Sequence, residues 1–167
     1  TGHAVSVARE AFRDSQAVIV LYGDQPLITP ETIIRLAATH EKERPALTFM
    51  TTTVPDFESS RHPLYDFGRI IRNKEGEILH IVEKNVATKQ ELAIRELNPS
   101  FFCFATDWLE KNITKLTNLN AQREYYLTDL VGIAIEQGSP IASLDVNPLE
   151  TIGVNTPDHL ELAHGLR

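Results

Sequence analysis

A carboxylate just past the end of a strand can hold a metal ion that carries phosphates. Asp24 has that setting. It lies in Tyr22-Gly23-Asp24-Gln25-Pro26-Leu27, directly after the apolar run Ala17-Val18-Ile19-Val20-Leu21. Five consecutive apolar residues, three of them β-branched, then Gly, Asp and Pro, read as a buried parallel strand that stops at a turn. Open α/β sheets bind ligands beyond the carboxyl ends of such strands. The same aspartate could also do no more than cap its turn. Asn155, in Gly153-Val154-Asn155-Thr156-Pro157, joins a strand end to a helix start. Its amide could face Asp24 as a second metal ligand, or simply mark the helix entrance.

Further polar residues stand at element ends. Glu83 alternates in step with Leu79 and Ile81 and so projects from their face of a strand. On a buried face its carboxylate needs a partner, and a sugar hydroxyl would serve; pairing with Lys84 or an exposed strand end is the alternative. The Asn98 amide can both donate to and accept from hydroxyls or an acetamido group, although Asn before Pro99 is also an ordinary turn signal. Glu124-Tyr125-Tyr126-Leu127-Thr128-Asp129 reads as a helix start. Adjacent tyrosines on a helix point ~100° apart, so one of Tyr125 and Tyr126 faces a cleft or packs at the core edge. Thr128 near a helix N-terminus could help bind an anion or bond its own backbone. Thr1-Gly2 could bring the backbone close to a flat base, or form a plain loop. His3 and Cys103 have no visible nucleophile–base partner, and no cluster has zinc-ligand spacing.

The elements that must position these residues are legible as a pattern. Helices are expected over residues 4–13, after Thr29-Pro30, over 88–94, 107–116 and 125–137, and after Thr156-Pro157. Ile33, Ile34, Leu36 and Ala37 supply the buried face of the second. Strands are expected over 47–54, 96–105 and 141–146, with a hairpin over 68–83 turning at Lys74-Glu75-Gly76. Residues 55–65 read as a polar surface loop. The alternation of strands and helices, with one hairpin inserted, predicts an α/β fold: a mixed, mostly parallel sheet with helices on both faces. No linker or repeat divides the chain, so residues 1–167 read as one domain.

Bulk properties narrow the function class. The chain has 167 residues, 42% hydrophobic, and a formal net charge of −7. It carries no basic stripe for nucleic acid, and an acidic protein that binds nucleotides needs a cation to offset phosphate charge. No apolar stretch reaches the ~18–20 residues of a membrane span. A single cysteine, Cys103, within Phe101-Phe102-Cys103-Phe104, fits a buried thiol in a reducing cytoplasm. Thr1-Gly2-His3 leads almost at once into a helical pattern, so the chain reads as a piece of a longer one. Missing strands would leave sheet edge uncovered and favour self-association.

Taken in order, Thr1 to Ala4, Leu21 to Leu27, Gly68-Arg69-Ile70, Ile81 to Lys84, Glu96-Leu97-Asn98, Asn120-Ala121-Gln122 with Glu124 to Asp129, and Gly153-Val154-Asn155 resemble one family. It is the uridylyltransferase domain of the bacterial bifunctional N-acetylglucosamine-1-phosphate uridylyltransferases. The resemblance implies a nucleotide-diphospho-sugar transferase fold and a reaction in which a sugar 1-phosphate attacks the α-phosphorus of UTP, releasing pyrophosphate. It implies Mg²⁺ held by Asp24 and Asn155. Thr1 and Gly2 would lie against uracil, and Tyr22 and Gly23 would line the nucleotide side. Gly68, Glu83, Asn98, Tyr126 and Thr128 would hold the sugar and its phosphate.

The departures are specific. Family members begin with a strand and a glycine-rich loop, with an arginine and a following Pro-Lys pair, that grips the triphosphate; these 167 residues contain none of it. The C-terminal hexapeptide-repeat domain is also missing, so the chain reads as N-terminally truncated and inactive or nearly so by itself. Ser100 stands where the family has glycine. Lys84-Asn85 replaces a Lys-Asp pair, Phe67 replaces Tyr, and Arg123 replaces a small residue, which points to an altered sugar pocket. Two rival readings are a non-catalytic nucleotide-sugar-binding module and a cytidylyltransferase with another acceptor, since Gly23 to Thr29 also resembles molybdenum-cofactor cytidylyltransferases.

Overall fold

The computed structural model of the chain describes residues 1–120 and 122–166. Its centre is β2 (Leu47–Thr53), an apolar and threonine-rich strand buried along nearly its whole length. On one side it pairs in parallel with β7 (Ile141–Asp145). On the other, Leu47 to Phe49 pair antiparallel with β6 (Phe102–Ala105), and Thr52 and Thr53 pair antiparallel with β5 (Glu96–Asn98). Beyond β6 lies β1 (Ala17–Val20), and beyond β5 lies the hairpin β3 (Gly68–Arg72) and β4 (Ile78–Val82).

Period-two alternation divides the core between two faces. Leu47, Phe49, Phe102 and Phe104 point to one face, where they meet Val5 of α1 (Gly2–Val7), Leu109 of α5 (Thr106–Asn112) and Val131 of α6 (Asp129–Glu136). Met50, Phe101 and Cys103 point to the other and meet Leu36 of α3 (Pro30–Glu43). Burial on that face pushes the Cys103 thiol up to about 11, which suits a packing role rather than a nucleophile. Helices therefore flank both faces, and the α/β fold stands as expected.

The expected share of parallel pairing does not. Of the six strand pairings among the described residues, only β2 with β7 is parallel. The reason is insertion rather than reversal. β1, β2 and β7 share one direction, but the antiparallel β6 enters between β1 and β2. Alternation along the sequence reports crossovers; it does not report which strand later fills the gap. β1 is consequently an edge strand, half-buried along Val18 to Val20.

Other differences are local. Residues 4–13 form two short helices, α1 and α2 (Arg9–Phe12), with a break at Ala8. Ile34 is exposed, so the buried face of α3 is carried by Thr32, Leu36 and His40. The expected strand 96–105 breaks into β5 and β6, which pair with different parts of β2. Residues 59–66 form a 3-10 turn instead of an irregular loop. The Thr-Pro devices hold at both helix starts: Thr29 accepts from Thr32 N, and Thr156 caps α7 (Pro157–Gly165) through His159 N. Thr88 and Glu91 close a capping box on α4 (Lys89–Leu92).

Phe102 is fully buried, with ring centroids 6.0 Å from Phe49 and 5.4 Å from Phe104. Phe102→Ala is expected to lower folding stability by about 3–5 kcal/mol, read as a shift in the urea midpoint.

Candidate functional site

The turn after β1 is closed by Gln25 N donating to Tyr22 O at 3.3 Å, and Val154 N donates to Asp24 O at 2.7 Å. That second bond docks the loop before α7 onto the loop after β1. Gly153 sits where they meet. A Cβ added there would lie 3.4 Å from Asn155 Nδ2 and 3.7 Å from Asp24 Oδ2. The two side chains expected to converge thus flank one small gap that glycine leaves open. No group of three or more His, Cys, Asp or Glu residues among the described residues is placed to hold a metal ion. Mg²⁺ keeps several waters and takes few protein ligands besides phosphate oxygens; Asp24 offers a carboxylate oxygen, and Asn155 would join it with its amide turned to put Oδ1, in place of Nδ2, toward the gap.

Gln25 is the residue that sequence reasoning passed over. It is buried, and its Nε2 donates to Thr151 O at 2.9 Å and to Pro99 O at 3.3 Å. Two carbonyl partners fix which end of the amide is nitrogen. Its Oε1 is buried without a hydrogen-bond partner. Nothing in the sequence marks this role, because Pro99 and Thr151 are brought to it only by the fold.

Across a cleft of about 600 Å³ stands a second wall. Glu83 follows β4, and its Oε1 accepts from Thr128 Oγ1 at 3.1 Å. Thr128 precedes α6 and makes no side-chain bond to that helix; its hydroxyl serves Glu83 instead. Gly68 lies behind this pair, where an added Cβ would come within 3.0 Å of Ile81 Cγ2 and 3.5 Å of Glu83 Oε2. Arg69 anchors the strand start. Its guanidinium sits 5.1 Å from both the Phe57 and Tyr65 rings and donates to Tyr65 O and Phe67 O.

Thr1, Tyr22, Asp24, Glu83, Tyr126 and Thr128 line the cleft together. Burial raises the Tyr22 phenol's pKa, opposed by the Thr1 and Ser100 side chains beside it. Tyr126 donates to Gln122 Oε1 at 2.7 Å. Tyr125 and Tyr126 both precede α6, so the helical divergence expected of them does not apply. Asn98 is buried behind the wall, its amide turned to Ser100. Gly2 lies apart: an added Cβ would collide with Leu116 Cδ1, and its N donates to Tyr125 O at 2.7 Å. Its missing side chain is required by packing. Gly23 is exposed with open space around it. Ala121 of the matching sequence lies outside the described residues.

The cleft wall carries Asp24, Glu83, Glu124 and Asp129, and no lysine or arginine among its described lining residues. Glu83 is one of them. Burial raises its pKa; the Thr128 bond opposes the rise, and the charge of Asp129 adds to it.

The fold is shared with solved proteins. It aligns at TM-score 0.69 with a Bacillus anthracis protein described as a glucose-1-phosphate thymidylyltransferase, at 17% identity over 99% of this chain and 60% of the other. CMP:2-keto-3-deoxy-manno-octonic acid synthetase, solved with CTP, aligns at 0.64, at 18% identity over 99% of this chain and 67% of the other.

In sequence the chain resembles the bifunctional GlmU proteins along its whole length. It is 39% identical to that of Brevibacillus brevis over 98% of the chain and 34% of the relative, and 41% identical to that of Trichlorobacter lovleyi over 100% of the chain and 35% of the relative. The chain therefore spans about a third of these relatives. No family model matches it.

A carboxyl whose pKa is raised by folding holds its proton more tightly in the native state. Its contribution to stability is fully present below the unfolded value and is lost as pH rises through the folded value. Glu83→Gln removes that loss while keeping an acceptor for Thr128. The variant is expected to melt above wild type at pH 7, with the gap closing below about pH 4, as followed by thermal denaturation across pH.

Proposed function

We propose that the chain is the sugar- and metal-binding part of a sugar-1-phosphate uridylyltransferase domain, making UDP-N-acetylglucosamine and pyrophosphate from UTP and N-acetylglucosamine 1-phosphate. The observation that carries this reading is that Asp24, on the cleft wall, and Asn155, outside the cleft lining, flank the space over Gly153, while Glu83 and Thr128 pair on the cleft's other wall. The likeness to GlmU proteins along the chain supports it.

In this reading Asp24 and Asn155 hold Mg²⁺, which when bound offsets phosphate charge and steadies the pyrophosphate leaving group. Tyr22, Gly23, Thr1 and Gly2 form the nucleotide side. Glu83 and Thr128 take sugar hydroxyls, helped by Asn98, Tyr126 and the backbone at Gly68. A phosphate oxygen of the sugar 1-phosphate forms the new bond to the α-phosphorus, and the bond to the β-phosphate oxygen breaks. The chain's share of the work is to align these two oxygens and exclude water. Residues 1–167 act as one domain, and the buried, unpaired Cys103 suits a reducing cytoplasm. No helix among the described residues is long and apolar enough to cross a membrane.

The absence of lysine and arginine from the described cleft lining leaves a triphosphate poorly compensated. Incubated with UTP, Mg²⁺ and N-acetylglucosamine 1-phosphate, the 167-residue chain is therefore expected to form little or no UDP-sugar; robust turnover would overturn this, and parallel CTP reactions test the nucleotide preference. UDP-N-acetylglucosamine binding, followed by calorimetry, is expected to depend on Mg²⁺. Asp24→Asn is expected to weaken the Mg²⁺-dependent binding about ten- to hundredfold. The open β1 edge favours self-association, and sedimentation velocity should show mass rising with concentration; a clean monomer throughout would contradict it.

A further inference from the structure

Ser100 has a φ of 66°, a left-handed conformation that glycine adopts freely and serine does not. The loop bond that shapes this corner, Ser100 N donating to Asn98 Oδ1 at 3.0 Å, needs no side chain at position 100. What serine adds over glycine is one hydroxymethyl group, on the cleft wall. Its Oγ accepts from Asn98 Nδ2 at 3.3 Å and lies beside the Tyr22 side chain. A hydroxyl that accepts in this way has one hydrogen to donate; here it faces the Tyr22 phenol, and an acceptor in the cleft would compete with that oxygen for it. Strain kept for the sake of one polar group on a cavity wall points to a ligand contact.

We propose that Ser100 is a specificity-determining residue of this site, donating a hydrogen bond to an acceptor oxygen on the sugar ring or its N-acyl group. This rests on the sugar-nucleotide reading above. Gln25, through its bond to Pro99 O, holds the loop that presents Ser100.

The test is calorimetry on wild type, Ser100→Gly and Ser100→Ala, each titrated with UDP-N-acetylglucosamine and with UDP in Mg²⁺, beside thermal melts. Ser100→Gly removes both strain and hydroxyl; Ser100→Ala removes the hydroxyl and keeps the strain. Both are expected to bind UDP-N-acetylglucosamine about tenfold more weakly, with UDP affinity unchanged. Ser100→Gly is expected to melt no lower than wild type. Unchanged UDP-N-acetylglucosamine affinity in the variants overturns the proposal and leaves the sugar-nucleotide reading intact. Equal loss toward UDP, or a lower melting temperature for Ser100→Gly, marks a structural role and also overturns it. Folded wild type that binds no UDP-N-acetylglucosamine removes the underlying reading and the proposal together.

Discussion

One buried carboxamide holds the two ends of this site in register. Gln25 belongs to the Asp24 turn, and its Nε2 bonds the carbonyls of Pro99 and Thr151. Pro99 belongs to the corner that carries Asn98 and Ser100, and Thr151 leads to Gly153 and Asn155. Losing that amide would leave two carbonyls short of a donor, and each buried unpaired polar group costs about 1–3 kcal/mol. The bond between Val154 N and Asp24 O completes the link. Three loops far apart in sequence thereby act as one rim.

Charge sets the second constraint. The cleft gathers four carboxylates and, among its described lining residues, no cationic side chain. Glu83 is half-buried beside Thr128, and its pKa is raised by its surroundings. Such a wall suits neutral hydroxyls well. It suits phosphates only when a divalent ion stands between them and the protein.

Much of this was legible in the sequence, and the rest was hidden for physical reasons. The hairpin could be read because Lys74-Glu75-Gly76 supplies turn chemistry between two apolar runs, and the helix starts because Thr-Pro fixes both cap and first residue. Asp24 could be read because an apolar run ends just before it, whereas Asn155 follows a 3-10 turn, Pro148–Thr151, and not the strand end expected there. The antiparallel insertion of β6 could not be read, since it depends on tertiary choice of neighbour. The apolar stretch through Phe101 looked continuous, yet it breaks at Ser100, where a positive φ sends β5 and β6 to different parts of β2. Tyr125 and Tyr126 had helix-like spacing but lie before α6, where Tyr125 O accepts from Thr1 N and Gly2 N, and Leu127 N donates to Thr1 Oγ1.

That division of β2 gives the sheet a natural crease. The half carrying β3, β4 and β5 pairs with β2 through Thr52 with Leu97 and Thr53 with Glu96, continued by Val54 N donating to Arg95 O. The half with β1, β6 and β7 is stitched along the rest of that strand. Glu83 rides on the loosely sewn half and Asp24 on the firm one. A molecule gripped by both carboxylates would bridge that crease and slow amide exchange in the hairpin.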